Sequence, residues 1–388
     1  MTHILILYSS LGAGHTSAAQ ALNQAFSHFP DVTVTVEDAL DYASPIYRNT
    51  VTSIYKQLSE KAPQIYRAYY EGTDVEDLER SLELNIVTAK LERVFFRKLR
   101  HFIEEVNPDA IVCVQQIPSR LLQLLEEEER ISKPHYVVIT DVIAHSSWIN
   151  KEVDGYYLPN DLTTDFLIKR GVDPAILHVT GIPIKLEVLE VKSQLEMRER
   201  YQLKTDKPVV TIFGGGLHYK RVRLMVSQLM DSLEIGSLIV AAGRHEQLLD
   251  SLTELDSTPE IELRKLGLID YVDDLLVASD LVITKAGGLI VSEILARGTP
   301  MIIVDPFPGQ EEWNADLVVA AGAGVQLKLA EMVAPCVKFL LNHSERLAQI
   351  QTAALELGEP RAALNIAENI LSQIITNYHK FNSNLKGE

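Results

Sequence analysis

The sequence predicts an α/β protein of two doubly wound domains, and three observations carry that prediction. Short β-rich runs alternate with helical stretches, glycine-rich turns follow the runs ILILY, VVTIF and DLVIT, and one charged, strand-free stretch separates two such series. Alternation of this kind marks parallel βαβ units, in which each crossover helix covers a face of the sheet. The 388 residues exceed one ordinary domain, and 46% apolar with 23% charged residues suffices for two sizeable cores.

Taken in order, the first domain spans residues 1–180, with strands expected at Ile4–Tyr8, Val32–Asp38, Ala110–Val114 and His135–Thr140. Residues 181–206 combine a proline-bearing turn with a charged helical stretch and read as a linker. The second domain, 207–360, has strands in VVTIFGGG, SLIVAAG, IELRKLG, DLVITKAGG and PMIIVDPF, and the chain is expected to turn helical after Val325. Within 361–388, Leu364, Ala367, Ile370, Leu371 and Ile374 share one face of a last helix expected to pack back across the domains. Two such domains facing each other would place the carboxyl ends of both sheets, where doubly wound folds bind ligands, around one cleft.

The net charge of −17 argues against a general nucleic-acid binder, because affinity for phosphate backbones needs clustered cations. Cys113 and Cys336 form no CxxC pair and no zinc-ligand cluster, so a reducing compartment and two ordinary thiols are expected. No leader segment is evident, and the apolar runs are strand-length, which leaves only peripheral membrane contact. Two basic islands suit such contact. Tyr42–Tyr70 holds six tyrosines and is locally +3 through Arg48, Lys56, Lys61 and Arg67 against Glu60; Glu92–Arg100 is +3 through Arg93, Arg97, Lys98 and Arg100. Tyrosines with snorkelling cations fit a headgroup interface, and equally a solvated helix pair covering the first sheet.

Chemistry-bearing residues concentrate at the expected strand exits. Gly12-Ala13-Gly14-His15 follows the first strand, with the helix expected to begin near Thr16; a glycine turn serves equally as a plain tight turn, but His15 at its mouth is placed to accept a proton. Thr140, Asp141, His145, Ser146, Ser147 and Trp148 crowd the exit of another strand and suit a small-molecule pocket. Gly214-Gly215-Gly216 offers a backbone that a bulky anion can approach. Gly287 and Gly288 precede a helix expected from Leu289, whose start is a natural diphosphate site, with Ser292 and Glu293 in its first turn. Glu293 would repel phosphate and suits a ribose diol instead. The rigid loop Asp305–Asn314 presents Gln310, Glu311 and Asn314, the amide and carboxylate chemistry that reads sugar hydroxyls. No metal site is evident; Asp270, Asp273 and Asp274 read as a solvated helix face.

Through GAGH, TDVIAHSSWINKEVDGYYLPND, GIPI, GGG, AAGRHEQL and the block from GLIDYVDD to QEEWNAD, nearly the whole chain resembles the monogalactosyldiacylglycerol synthase and processive diacylglycerol glucosyltransferase family. The resemblance implies a GT-B glycosyltransferase with two Rossmann-like domains. Such an enzyme moves a hexose, galactose or glucose, from a UDP-sugar to diacylglycerol with inversion, and its donor is a substrate, so no cofactor is implied. It implies His15 as base and Asp141 as a positioning residue. It also implies Gly287, Gly288 and Ser292 on the diphosphate, Glu293 on the ribose, Gln310, Glu311 and Asn314 on the donor, and Gly215, Gly216 and Arg244 bordering it. The expected setting is cytoplasmic, peripheral on the inner face of an anionic membrane. Rival readings are an N-acetylglucosamine transferase acting on another lipid-linked acceptor and an idle nucleotide-sugar sensor. Three departures bear on substrate identity: Ala13 within the first turn, Leu217-His218-Tyr219-Lys220 after the triple glycine, and Trp313 in the donor loop, where relatives commonly carry glycine.

Overall fold

The computed structural model describes residues 1–61, 63–128, 130–232 and 234–385. The chain divides into two compact units: Met1–Leu186 with Pro308–Gln310 and Arg361–Glu388, and Glu187–Phe307 with Glu311–Pro360.

The first unit contains β1 (Thr2–Tyr8), α1 (Ala13–Phe26), β2 (Val32–Asp38), α2 (Pro45–Lys61), α3 (Pro63–Thr73), α4 (Leu78–Glu92), α5 (Arg97–Val106), β3 (Ala110–Cys113), α6 (Gln116–Glu127), β4 (His135–Val138), β5 (Gly155–Leu158), α7 (Asp161–Lys169) and β6 (Leu177–Val179). The second contains α8 (Gln194–Arg200), β7 (Val209–Phe213), α9 (Tyr219–Leu229), β8 (Ser237–Ala241), α10 (Glu246–Ser251), β9 (Glu262–Leu266), α11 (Val272–Ala278), β10 (Leu281–Thr284), α12 (Gly288–Arg297), β11 (Met301–Val304), α13 (Gln310–Ala320), β12 (Gly324–Leu327), α14 (Val333–Leu341) and α15 (Ser344–Leu357). The last helix, α16 (Ala362–Leu385), returns to the first unit.

Each unit is built on a six-stranded sheet, in the orders β2-β1-β3-β4-β5-β6 and β12-β11-β10-β7-β8-β9, with parallel pairing throughout. The central strands are buried on both faces, as in Ile4–Leu7, Ala110–Cys113 and Leu281–Ile283, which is why they read as continuous apolar runs. Strand order reverses at β1/β3 in the first sheet and at β7/β10 in the second. These are the switch points where open α/β sheets receive ligands.

Three strands lie outside the sequence expectation: β5, β6 and β12. Val325, expected to mark the turn to helix, lies inside β12 and pairs with Ile302 of β11. The linker reading also needs correction. From Glu187 onward the segment belongs to the second unit, and α8 packs on α11.

The physical reason is a buried ion network. Lys192 Nζ lies 2.6 Å from Asp273 and 2.5 Å from Asp274, Arg297 grips Asp273 with two nitrogens, and the Tyr201 hydroxyl donates to Asp274. Asp273 and Asp274 are therefore not a solvated face; each is only 7% exposed, while Asp270 alone of the three is exposed.

α16 packs on α1 and buries Ala362, Ala363, Ile366, Ala367 and Ile370. It is tied to the first sheet by the Tyr157 hydroxyl donating to Asn369 at 2.8 Å and by Gln373 at 3.1 Å from the His178 ring. Among the described residues, no helix is long and apolar enough to cross a membrane.

Candidate active site

In the first unit, Gly12 takes φ 101°, a conformation that favours glycine, and α1 starts at once with Ala13. The helix thus begins three residues earlier than expected, and His15 stands in its first turn rather than before it. The ring faces the switch point. It is hydrogen-bonded to the Val114 carbonyl, just past the end of β3, and its Nδ1 lies 3.3 Å from the Thr140 hydroxyl. Trp148 closes one side, with ring centroids 6.4 Å apart. Burial, opposed by the Val114 hydrogen bond, brings the imidazole down from its usual range to about 4. At neutral pH His15 is consequently uncharged, and with one nitrogen donating to a carbonyl the other carries a lone pair. Asp141, next to Thr140, is buried and near enough to Tyr70 for its charge to act on that phenol. The side chain of Ala13 lies outside the described residues.

The rest of the 140–148 cluster has a different task. Trp148 is fully buried in the core. His145 bonds the Tyr70 carbonyl at 2.9 Å and receives the Ser147 amide at 3.0 Å, and the Ser146 amide donates to Asp74, which Arg170 clamps at 2.8 and 2.6 Å. These residues fasten the end of α3 to the loop. They are a structural latch, not the small-molecule pocket the sequence pattern implied.

In the second unit, the glycines after β7 are explained by protein rather than by open approach to an anion. A Cβ on Gly214 would lie 2.7 Å from Leu248, on Gly215 3.0 Å from the Ala242 carbonyl, and on Gly216 2.9 Å from Lys285 Cδ. The Gly216 contact crosses the β7/β10 switch point and reveals a residue that sequence reasoning passed over. The Lys285 ammonium lies 3.3 Å from Glu311 Oε2 and 5.3 Å from the centroid of the Phe307 ring. Glu311 also receives the Phe307 amide at 2.7 Å, and its other oxygen stands 3.8 Å from where a side chain on Gly287 would begin.

Helix α12 starts at Gly288, capped by Gly287 without any side-chain hydrogen bond, so its first amides remain available as donors. That start is one residue earlier than expected, and it moves Ser292 and Glu293 out of the first turn. The Ser292 hydroxyl donates to the Gly288 carbonyl at 2.8 Å, and Glu293 is part-buried. Asn314 is fully buried, with its amide donating to the Ala286 carbonyl at 2.8 Å, so it shapes the turn from beneath. Gln310 opens α13 and groups with the first unit. Arg244 is exposed on the turn after β8.

Asp305, at φ 47°, holds a strained left-handed backbone and pairs with Arg221 Nε at 2.5 Å. Burial pushes its carboxyl up, against the pull of Arg221, Lys285 and His218. Lys285, Arg221 and His218 are thus cations or potential cations gathered around two carboxylates at the ends of β7, β10 and β11. The readable signal for Lys285 was its place immediately before a glycine-rich helix start.

Two six-stranded parallel sheets, each carrying polar residues at its switch point, make up a GT-B architecture. The model for "Monogalactosyldiacylglycerol (MGDG) synthase" matches residues 15–184, and that for "Glycosyltransferase family 28 C-terminal domain" matches residues 209–366. The chain belongs to this monogalactosyldiacylglycerol synthase type of family 28 glycosyltransferases. It is 28% identical over 380 residues to the processive diacylglycerol beta-glucosyltransferase of Bacillus licheniformis, covering 96% of this chain and 94% of that one. It is 26% identical to the Bacillus subtilis protein of the same name, with 95% of each covered. Among solved structures, Acinetobacter baumannii MurG superposes with a TM-score of 0.60 at 15% identity, covering 96% of this chain and all of that one. Staphylococcus aureus MnaA, solved with UDP, superposes with a TM-score of 0.62 at 16% identity over 95% and 96% of the two chains.

Proposed function

We propose that the protein transfers a hexose, glucose or galactose, from a UDP-sugar to the free hydroxyl of diacylglycerol, with inversion at the anomeric carbon. The carrying observation is His15, neutral and fixed at the β1/β3 switch point by Val114 and Thr140. The acceptor oxygen forms its bond to the anomeric carbon as the bond to the diphosphate breaks, the electron pair leaves with UDP, and the acceptor proton passes to His15. An imidazole with so low a pKa is a weak base, but the acceptor oxygen becomes strongly acidic only as its new bond forms. A late proton transfer needs no stronger partner. Asp141 positions the acceptor or the base.

The leaving diphosphate is received by the amides at Gly287 and Gly288, with Ser292 beside them and Lys285 released from Glu311. Glu293 takes the ribose diol. Gln310 and Glu311 border the sugar, Asn314 holds the turn beneath them, and Gly215, Gly216 and Arg244 stand at its edge. No cofactor or divalent cation enters this scheme.

We place the reaction on the inner face of an anionic membrane, in the cytoplasm. Support comes from the exposed Ile46, Ile54 and Ile65 of α2 and α3, and from Tyr69, rather than from the tyrosines as a group. Tyr70 is buried, Tyr42 stacks on Phe102, and Tyr47 packs on Phe95 and Phe96 while donating to Glu92 at 2.7 Å. Arg48 pairs with Asp41; the side chains of Tyr55, Lys56 and Lys61 lie outside the described residues. The deciding experiment offers a panel of UDP-sugars to the enzyme with diacylglycerol liposomes and analyses the product. Binding of donor without any glycolipid would sink the reading.

A further inference from the structure

The latch that fastens the end of α3 to the 145–148 loop also holds one side chain against the loop that precedes α13. Tyr70, in the last turn of α3, is 6% exposed. Its carbonyl lies 2.9 Å from the His145 ring nitrogen, and its own ring centroid lies 4.5 Å from that imidazole and 5.8 Å from the Tyr66 ring stacked on it. Just beyond, the Val75 amide donates to the Ser146 hydroxyl at 3.0 Å, and Asp74 sits under its Arg170 clamp. A ring packed by two others, on a backbone tied at its carbonyl, has little room to turn.

What the ring meets is Gly309. A Cβ added there would lie 3.1 Å from Tyr70 Cδ1 and 3.6 Å from Cε1 and Cγ, and the backbone takes φ 92°. Pro308, Gly309 and Gln310 group with the first unit, so this contact is internal to it. Glycine visits many backbone conformations at similar cost, so a left-handed glycine keeps one geometry only when its surroundings fix it. Pro308 limits the φ before it, and the Tyr70 ring fills the space that a side chain would take. Gln310 follows directly and opens α13, so the course of this turn sets where Gln310 stands.

An amide that reads a sugar hydroxyl must be held within about 0.5 Å of its working position, by neighbours that are themselves locked. We propose that Tyr70 is a positioning residue for the donor sugar: its ring seats Gly309 and thereby sets Gln310 toward the sugar hydroxyls. This rests on the reading in which Gln310 borders the sugar, and it gives the 145–148 latch a purpose in the reaction beyond holding α3. The phenol also lies near enough to Asp141 to feel its charge, so one side chain adjoins both the residue given to the acceptor and the loop given to the donor.

Calorimetry on the full chain tests this with UDP, UDP-glucose and UDP-galactose as separate ligands and no acceptor. Tyr70→Leu is expected to bind the UDP-hexose that the wild type binds best about tenfold more weakly, while its affinity for UDP stays within about twofold. Tyr70→Phe, which keeps the ring, is expected to match the wild type for both. Should Tyr70→Leu fail to fold, Gly309→Ala is read by the same measures, since its methyl must displace the ring. Wild-type affinity for the UDP-hexose in the variant read would show that the ring seats nothing the sugar feels. An equal loss for UDP would make Tyr70 a support of the fold alone, and a loss in Tyr70→Phe as large as in Tyr70→Leu would assign the effect to the hydroxyl. Any of these overturns the proposal. A wild type that binds the donor but makes no glycolipid sinks the transfer reading instead and leaves these affinities to be read; one that binds neither UDP-hexose overturns both.

Discussion

At the β1/β3 switch point the first unit sets an uncharged imidazole among a carbonyl, a hydroxyl and an indole. At the β7/β10 switch point the second unit sets an ammonium and a guanidinium against two carboxylates. Each suits what the proposed transfer would bring to it. A group that accepts a proton must be free of one beforehand, and burial achieves that by disfavouring the cation. A group that meets a diphosphate must already be charged, and a cation at a partly dry strand end needs a nearby counter-charge until the phosphate replaces it. The same topological position is thus prepared by desolvation in one unit and by paired charge in the other.

The contrast can be broken most severely at His15. His15→Ala is expected to lower kcat by about a hundredfold to ten-thousandfold, while UDP affinity measured by calorimetry is retained. Turnover near wild type would remove the histidine from the chemistry.

The pH profile sharpens the same half. Because the folded imidazole titrates near about 4 rather than near its ordinary value of about 6.5, kcat/KM should hold level from neutrality to about pH 5 and fall only below it. Stability moves in the same direction: the unfolded chain takes up this proton first as pH drops through the range between the two values, so the contribution of neutral His15 is present above about 6.5 and lost on the way to about 4. An acidic limb centred near 6.5 would show that the ring is not desolvated during catalysis.

On the other side, Lys285→Met removes one charged hydrogen bond and leaves Glu311 without its cation, so UDP should bind about ten- to a hundredfold more weakly. Glu293→Ala should cost less, about two- to tenfold in UDP affinity, since neutral hydroxyls are its partners. Unchanged calorimetric affinity in either folded variant would exclude that residue from the donor site. The smallest expected effect is that of excess chelator, which should leave the transfer rate unaltered because Lys285 and the α12 amides take the diphosphate charge. A loss reversed by magnesium would overturn that.

Strand-to-helix alternation made the double α/β architecture readable, and it located β1 to β4 and β7 to β11 because buried parallel strands are apolar without interruption. The strands it missed lie at or near a sheet edge and carry little of that signal: LHV is short and part-exposed, GVQL is nowhere fully buried, and GYYL reads as aromatic rather than aliphatic. Both glycine turns hide the true helix starts, because glycine reads as the end of a turn, whereas Gly288 already belongs to α12 and Ala13 to α1.

The candidate site was legible where a residue type is rare in its setting, as with His15 after a first strand. It was illegible where the meaning is a pairing across the sheet. Nothing local to Gly216 announces Lys285, nothing in VDDLL announces Lys192 and Arg297, and His145 resembles a ligand until its carbonyl partner at Tyr70 is seen.

The helix that carries His15 is covered by the last helix of the chain, which is made only after the whole of residues 187–307 and 311–360. During synthesis the second unit therefore has all of its residues first, and the first unit waits with the apolar side of α1 uncovered until Ala362 to Ile370 emerge. A nascent chain stalled short of that point would hold every residue of the second unit while the first unit still lacked α16. The ribosome's order of delivery thus makes the helix that carries His15 the last part of the first unit to be secured.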